Sequence, residues 1–343
     1  MTGLPRVTAV ILAYGAEPWL NEAVTAVLKS SNVDVDVIVV DNGCTTDAVA
    51  SVQDLAGVTV LRPEENTGYA GGCMIGAAAA TGDFLAFVNS DAIVSPQALA
   101  ALVAVAAEPG VGLAMGSIRL ADQPDVMNTA GNPLHIGGLS WAGSMGRPAS
   151  EFAVRRQVPV GSGCCFVIRR EVWQQVGGFA PEYFAYHEDT DLCLRLWQRG
   201  LTVEYVPDAP VLHRYEFSRN PMKYYLLERN RLVLLFTNFQ TRTLVLLTPV
   251  LALTEAAMLA AATTGGWLRP KLRGWAWLWR HRAWVRQRRR DIQQARTVSD
   301  RELAHLFTAR FDPANIEAPA GVGVYNALVE TWWRLVRGLL PAR

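Results

Sequence analysis

The sequence predicts a doubly wound, mostly parallel α/β sheet followed by a separate helical tail. Three observations carry that expectation. Short β-branched apolar runs alternate with helical patterns over residues 7–120. Carboxylates and turn-forming residues gather at the ends of those runs. Beyond about residue 240 the composition turns first almost wholly apolar and then strongly basic.

Val7–Ala13 reads as the first strand. Pro18 sits where a first-turn proline belongs, and Leu20, Val24 and Val27 form an apolar stripe at helical spacing. The second strand, Val35–Val40, is an unbroken apolar run after Asp36, as expected of a strand buried on both faces. Val58–Leu61 is the third strand and Phe84–Val88 the fourth. Ser95-Pro96 then offers an N-cap and N1 pair for a helix through Leu99, Leu102 and Val103, before a fifth strand at Val111–Leu120. This order predicts right-handed crossovers between parallel strands. Residues 121–157 are rich in Gly, Pro, Asn and Ser and carry His135 and Trp141. A strand at Cys164–Arg169 follows, with a short helix, Arg170–Val176, ended by Gly177-Gly178. A second helix runs from near Glu188 to Arg199 and stops at Gly200, the usual C′ glycine. Thr202–Val206 and Val211–His213 close the region as strands.

The bulk numbers narrow the class. At 343 residues the chain exceeds the usual ceiling for one core. Half the residues are hydrophobic and 18% are charged, which excludes a disordered chain. Five cysteines without CxxC spacing suggest neither a disulfide framework nor a zinc site, and fit a reducing compartment. Met1–Arg6 leads straight into a strand without the charged and apolar regions of a secretory signal, so the catalytic region is expected in the cytoplasm.

In the tail, Leu244–Ala262 is broken only by Pro249, Glu255 and threonines. Arg269 to Arg290 holds nine basic residues and no acid, interleaved with Trp275, Trp277, Trp279 and Trp284. Leu328, Trp332, Leu335 and Leu339 make a last helical stripe beside Arg334, Arg337 and Arg343.

Ligands of open parallel sheets bind beyond the carboxyl ends of the strands. Those ends deliver Ala13-Tyr14-Gly15, Asp41-Asn42-Gly43, Asn66-Thr67-Gly68 and Asn89-Ser90-Asp91, a set suited to a nucleotide and a hard divalent cation. Asp91 follows a buried apolar run, a costly place for a carboxylate without a cation or donors, although an Asx-turn also explains it. Asp41 carries the same ambiguity. Asn66–Gly72 permits close backbone approach at a helix start, yet is neither a dinucleotide fingerprint nor a P-loop, and by itself tight helix–sheet packing is the better explanation. Glu188, Asp189 and Asp191 exceed what capping needs, and their spacing forbids one shared role: a general base, a substrate-positioning group and a partner for Arg195 are the candidates. His213, at a strand end, is a candidate metal ligand or a structural histidine. Arg229 and Arg231, near Tyr224-Tyr225, could hold a diphosphate or acceptor, as could Asp191, or form a solvated face.

Taken in order, Val7–Gly15, Val37–Asp47, Asn66–Gly72, Asn89–Asp91 and Glu188–Arg195 resemble glycosyltransferase family 2, most of all its rhamnosyltransferase-like bacterial members. The resemblance covers residues 7 to about 240, and Arg288–Leu303 resembles the tail of membrane-associated members. It implies a Rossmann-like GT-A fold, a dTDP-, UDP- or GDP-linked sugar donor and inversion at the anomeric carbon. By position, Ala13, Tyr14 and Glu17 would line the nucleoside pocket and Asp41 would contact the base. Asn66, Gly68, Asn89 and Ser90 would complete the donor site. Asp91 matches the last acid of the metal-binding DXD motif, His213 a downstream ligand of Mg²⁺ or Mn²⁺, and Asp189 the catalytic base, with Glu188 the alternative. Asn89 departs from the motif, whose first acid it replaces. Residues 1–240 are thus the expected catalytic domain, with a nucleotide-sugar half (about 1–120) and an acceptor half (about 121–240). Residues 241–343 are the expected membrane-associated tail.

The catalytic region and the basic cluster both belong in the cytosol, which one spanning helix does not allow. A re-entrant hairpin bent near Pro249, or helices lying in the interface, satisfies both. A buried core helix or dimer contact is the other reading of Leu244–Ala262. The expected partners are a lipid-linked or cell-wall glycan acceptor and the cytoplasmic face of a membrane, with no nucleic acid. Two other readings compete. A nucleotidyltransferase would carry a Gly- and Arg/Lys-rich loop after the first strand, where this chain has Tyr14-Gly15-Ala16-Glu17-Pro18. A non-catalytic membrane-docked scaffold is excluded if donor hydrolysis or glycan transfer is lost in an Asp189→Asn variant with an intact fold.

Overall fold

The apolar runs become strands whose carboxyl ends gather on one edge. The computed structural model describes residues 3–215, 220–314 and 321–342, so the expected flanking Arg343 lies outside the described residues. In chain order come β1 (Arg6–Gly15), α1 (Leu20–Leu28), β2 (Asp34–Cys44), β3 (Val58–Leu61), α2 (Gly68–Ala79), β4 (Phe84–Val88), β5 (Ala92–Val94) and α3 (Ala98–Ala106). Then follow β6 (Val111–Leu120), β7 (Gln123–Thr129), β8 (Leu134–His135), β9 (Arg156–Gln157), β10 (Cys165–Arg169), α4 (Arg170–Val176), α5 (Glu188–Gln198) and β11 (Thr202–His213). The rest is helical: α6 (Pro221–Asn238), α7 (Thr241–Thr264), α8 (Leu268–Arg280), α9 (Arg282–Ala295), a short β12 (Phe307–Thr308) and α10 (Val322–Val336).

The main sheet has the order β3-β2-β1-β4-β10-β6-β11-β5, with β7 on β6 and β9 on β11. Pairs among β3, β2, β1 and β4 are parallel, as is β6 with β11. β10 enters antiparallel between β4 and β6, and β5 lies antiparallel on β11. The mixture is a refinement of the sequence reading, because only parallel neighbours need a crossover helix and β10 arrives without one. The two short runs expected at 202–206 and 211–213 are one strand, bulged between Val206 and Pro210. Ser95 and Pro96 form a turn ahead of α3, with the Ala98 N–H donating to the Ser95 carbonyl, rather than its cap.

Aromatic rings fill the core below the strand ends. Phe87 lies 4.9 Å from Phe166 and 4.5 Å from Trp173, which meets Phe179 at 5.0 Å. The glycines of α2 serve packing: a Cβ on Gly72 would sit 2.0 Å from Leu12 Cδ1, and one on Gly76 2.4 Å from Val10 Cγ1.

The chain divides into two compact units, Met1–Asn132 with Ala142–Leu196 and Leu201–Glu216, and Pro133–Trp141 with Trp197–Gly200 and Phe217–Arg343. The first contains the main sheet. The second contains α6–α10 and the two-stranded parallel β8–β12 ladder. Within it α7 runs unbroken through Pro249, so the hairpin bend expected there is not formed. A proline removes one backbone hydrogen bond, and 24 residues of otherwise good helix carry the chain across it.

Candidate active site

The site is built on the carboxyl edge of the main sheet. Parallel register sets Ala13 of β1 beside Asp41 of β2. The next side chain, Tyr14, is 59% exposed, and its ring lies over Gly43, where a Cβ would be in ordinary contact at 3.6 Å. The Tyr14 N–H donates to Glu17 Oε1 at 2.8 Å, and Glu17 holds a left-handed φ of 48°. Burial raises the Glu17 carboxyl above its ordinary range against hydrogen bonds from the Tyr14 N–H and the Ser90 hydroxyl, and the nearby Asp91 carboxylate adds to the rise. The first and fourth strand ends therefore meet through Glu17, Ser90 and Asp91.

Asp41 spends one oxygen on its own turn, accepting from the Cys44 N–H at 3.0 Å and the Gly43 N–H at 3.4 Å. The other faces Arg62 Nε at 3.5 Å. Buried Asn42 ties β2 to the 66–68 turn: its amide donates to Asn66 Oδ1 at 2.8 Å and to the Gly68 carbonyl at 3.3 Å, while its oxygen accepts from the Thr67 N–H at 2.9 Å. Asn66 also accepts from the Gly68 N–H. A Cβ on Gly68 would meet the Phe184 carbonyl at 2.4 Å. Asn66 and Gly68 thus hold this turn together, and the close approach at Gly68 accords with the packing explanation of the glycine run.

Asp91 and His213 come together because β5 pairs with β11 in a register that sets Ala92 opposite His213. His213 Nε2 stands 3.3 Å from Asp91 Oδ1. Its Nδ1 lies 3.0 Å from Asn128 Oδ1 on β7, which fixes the ring and directs Nε2 toward the carboxylate. A carboxylate and an imidazole nitrogen face each other at this distance with a proton or a cation between them. Two ligands of an octahedral ion, each about 2.1 Å from it and at right angles, stand about 3 Å apart. The pair fits a hard divalent ion with one oxygen and one imidazole donor. Among the described residues no third His, Cys, Asp or Glu completes a cluster. Further ligands would come from a substrate diphosphate and water.

The acids of α5 separate into distinct roles. Asp189 Oδ2 accepts from the Gly163 N–H at 3.1 Å, and Oδ1 from the Thr190 N–H at 2.6 Å and the Thr190 hydroxyl at 3.1 Å. Burial raises its carboxyl above the ordinary aspartate range despite those donors. Cys164, next to Gly163, accepts the Asn89 N–H at 2.8 Å, so one short segment braces both the base candidate and the Asn89 turn. Glu188 is buried with Oε2 lacking any hydrogen-bond partner, and burial, then the Asp189 charge, pushes its carboxyl well up. Asp191 corrects the sequence reading of a diphosphate or acceptor contact. It is wholly buried, bonded to Arg195 Nε at 2.8 Å and to the Tyr183 hydroxyl at 3.0 Å, with no face toward a ligand. Phe184, Tyr186 and His187 enter α5 at φ of 63°, 68° and 68°. Left-handed non-glycine residues cost about 1–3 kcal/mol each and cluster where a side chain must be aimed.

Arg229 and Arg231 lie in the second unit, and the structure corrects their assignment too. Arg231 is fully buried and bonded to Glu228, Glu255 and the Gly137 carbonyl; Lys271, also buried, pairs with the same two acids. Arg229 bonds Asn230 and lies over the Tyr225 and Trp277 rings at 5.1 and 4.6 Å. Sequence reasoning missed Asn128, Gly163 and Arg62. Asn128 carried no readable signal, since it sits where residues 121–157 lose periodicity.

Three comparisons bear on this geometry. The family model described as "Glycosyl transferase family 2" matches residues 8–177, and one described as "N-terminal domain of galactosyltransferase" matches residues 143–219. An uncharacterized protein of Sinorhizobium fredii is 28% identical over 64% of this chain, which spans only 25% of that protein. The N-acetylglucosaminyl-diphospho-decaprenol L-rhamnosyltransferase of Mycobacterium tuberculosis is 31% identical over 64% of this chain and 78% of its own. Among solved structures, a mannosyltransferase from Pyrobaculum calidifontis in complex with GDP-Man and Mn²⁺ matches 86% of both chains with a TM-score of 0.54 at 21% identity, a likeness of fold.

Proposed function

The chain belongs to glycosyltransferase family 2 and has its GT-A fold, and on that premise we propose a single-displacement, inverting sugar transfer from a nucleoside-diphosphate donor to a hydroxyl group. The observation that carries the reading is the Asp91–His213 pair, held at 3.3 Å on the carboxyl edge of the sheet with Asn128 behind it. Asp91 and His213 would hold Mg²⁺ or Mn²⁺. When bound, the ion supplies positive charge against the diphosphate that departs.

The chain's own groups account for the rest. Tyr14 offers an exposed ring for the base, and Asp41 and Arg62 border it. Asn89 and Ser90 line the turn where the donor ribose and sugar would lie. Asp189 takes the proton from the acceptor hydroxyl. The freed oxygen pair bonds to the anomeric carbon on the face opposite the diphosphate, and the carbon–oxygen bond to the diphosphate breaks with its electrons leaving on phosphate. A base in this role works best with a pKa near the operating pH, which agrees with a carboxyl raised by burial. Glu188 lies too deep to reach an acceptor directly and sets the field around Asp189.

The Mycobacterium relative's name supports L-rhamnose as the transferred sugar and a diphospho-decaprenol-linked sugar as acceptor, and on our reading the transfer takes place at the cytoplasmic face of a membrane. A thermal-shift series of dTDP-, UDP- and GDP-sugars with Mn²⁺, Mg²⁺ or chelator tests the reading. One donor class should stabilise the protein by about 2.7 kcal/mol at a hundredfold excess over Kd. The effect should need the metal and vanish in Asp91→Asn and His213→Ala. Equal stabilisation in chelator, or none from any nucleotide sugar, would overturn it.

A further inference from the structure

The tail carries charge and apolar surface in an arrangement that the catalytic reading does not use. Residues 241–343 contain sixteen Lys and Arg against seven Asp and Glu, a net charge of +9. The remaining 240 residues hold sixteen against twenty-four, a net charge of −8, so the overall +1 conceals two oppositely charged regions. Within the tail, α7 is long and apolar enough to cross a membrane, yet only 17% of its most apolar window is buried. Its covered stripe is Thr243, Leu247, Val250 and Thr254. The opposite stripe, from Val245 through Ala252 and Ala256 to Leu259, is exposed and uncharged over about four turns.

Two neighbouring helices expose apolar stripes of their own. α10 is tied to α7 by the Trp332 indole N–H to the Leu246 carbonyl at 2.8 Å and by Tyr325 to Thr254 at 2.8 Å, which makes the two helices antiparallel. It exposes Leu328 and Leu335, the latter 65% open, with Arg334 and Arg337 between and beyond them. α8 is tied to α7 by Lys271 and Glu255, and it exposes Leu272, Trp275 and Trp279 at helical spacing. The Arg282 guanidinium lies 4.8 Å from the Trp279 ring centre. A soluble partner that covered these stripes would need acids to meet the arginines around them. An anionic bilayer supplies apolar depth and negative headgroups together.

We propose that the tail docks on an anionic lipid bilayer with α7 lying in the interface, its outer stripe inward, flanked by the exposed stripes of α8 and α10. This deepens the membrane-side reading of the enzyme and rests on it for the direction in which the surface is used. Orientation in the plane also resolves the sequence conflict, since no residue has to cross.

Flotation of the full-length protein tests it, using vesicles of pure phosphatidylcholine and of an equal mixture of phosphatidylcholine and phosphatidylglycerol. The protein should float with the mixture and lose most of that binding on pure phosphatidylcholine or at high salt. Val245→Asp with Leu259→Asp should abolish flotation. Arg334→Ser and Arg337→Ser should each weaken partition roughly fivefold, about 1 kcal/mol per arginine near the surface. All variants should keep the metal-dependent nucleotide-sugar thermal shift, so a failure of docking is read apart from a failure of the transferase reading. Wild-type protein left unfloated by the mixture would overturn the proposal, as would Asp variants that float unchanged. So would a stable dimer that those variants convert to monomer, because the stripe would then belong to a second copy.

Discussion

Two buried groups of acids in this chain have opposite surroundings. In the second unit Glu228 and Glu255 meet Arg231 and Lys271, two acids against two bases, with the Arg231 guanidinium also bonded to a carbonyl. Burial alone would raise the Glu228 carboxyl, but Arg231 and Lys271 outweigh it and hold it below the usual range. In the first unit buried Glu188 adjoins half-buried Asp189, and Asp191 alone has an arginine. Pairing on this scale marks a scaffold, whereas a carboxylate left with backbone donors and like-charged neighbours marks a place where a proton is exchanged. The difference explains why residue type alone misled at Arg231 and Asp191: both look functional in sequence and are consumed by a partner in the fold.

The largest test of that contrast is Asp189→Asn. It should lower kcat by about 10²–10⁴-fold in a steady-state transfer assay while the circular dichroism and Tm stay those of the wild type. Unchanged turnover would remove Asp189 from the chemistry and leave α5 as one more scaffold. On the other side, Arg231→Met should cost about 3–5 kcal/mol in urea denaturation, because it leaves Glu228 and Glu255 to share Lys271 as their one cation. A loss of activity without a loss of stability there would erase the distinction between the two groups. Asn128→Ala should weaken Mn²⁺ binding, followed by titration in the presence of a nucleoside diphosphate, by about 10–100-fold, since it frees the His213 ring without removing a ligand.

The smallest effect is a pH dependence. Glu188 has a folded-state pKa raised by burial, so the folded chain keeps a proton that the unfolded chain releases above about 4.3. Its contribution to stability is complete below that value and is lost as pH rises toward the folded pKa. Glu188→Gln should therefore match the wild type in acid and exceed it by at least about 1 kcal/mol at neutral pH, measured by denaturation at several pH values. A constant difference across pH would mean that Glu188 is ionised in the folded chain.

The strands and most helices were legible because apolar periodicity is local: Val7–Ala13 and Phe84–Val88 declare themselves. The strand-end residues Tyr14, Ser90 and Asp91 could be singled out for the same reason, since the end of an apolar run is visible, whereas Glu17 came only from the family resemblance. What register decides was not. Nothing in the sequence sets Ala92 opposite His213, or brings Asn128 from a segment without periodicity to the back of that ring. The antiparallel entry of β10, which positions Gly163 below Asp189, was equally hidden. At Asn66–Gly72 packing was the better explanation from the start, and the close approach of Gly72 to Leu12 and of Gly68 to Phe184 accords with it.

The left-handed residues Phe184, Tyr186 and His187 bear on how the chain reaches its native state. Conformations that the local sequence disfavours persist only when surrounding structure holds them, and here that structure is the finished sheet and α2, to which the Phe184 carbonyl is bonded through the Ala70 N–H. We predict that the approach to α5 sets late, after the folding barrier has been crossed, which chevron kinetics of variants at these three positions would check. Substitutions in this segment belong to the class that speeds unfolding and leaves the folding rate alone. The base would be the last part of the molecule to arrive and the first to be released.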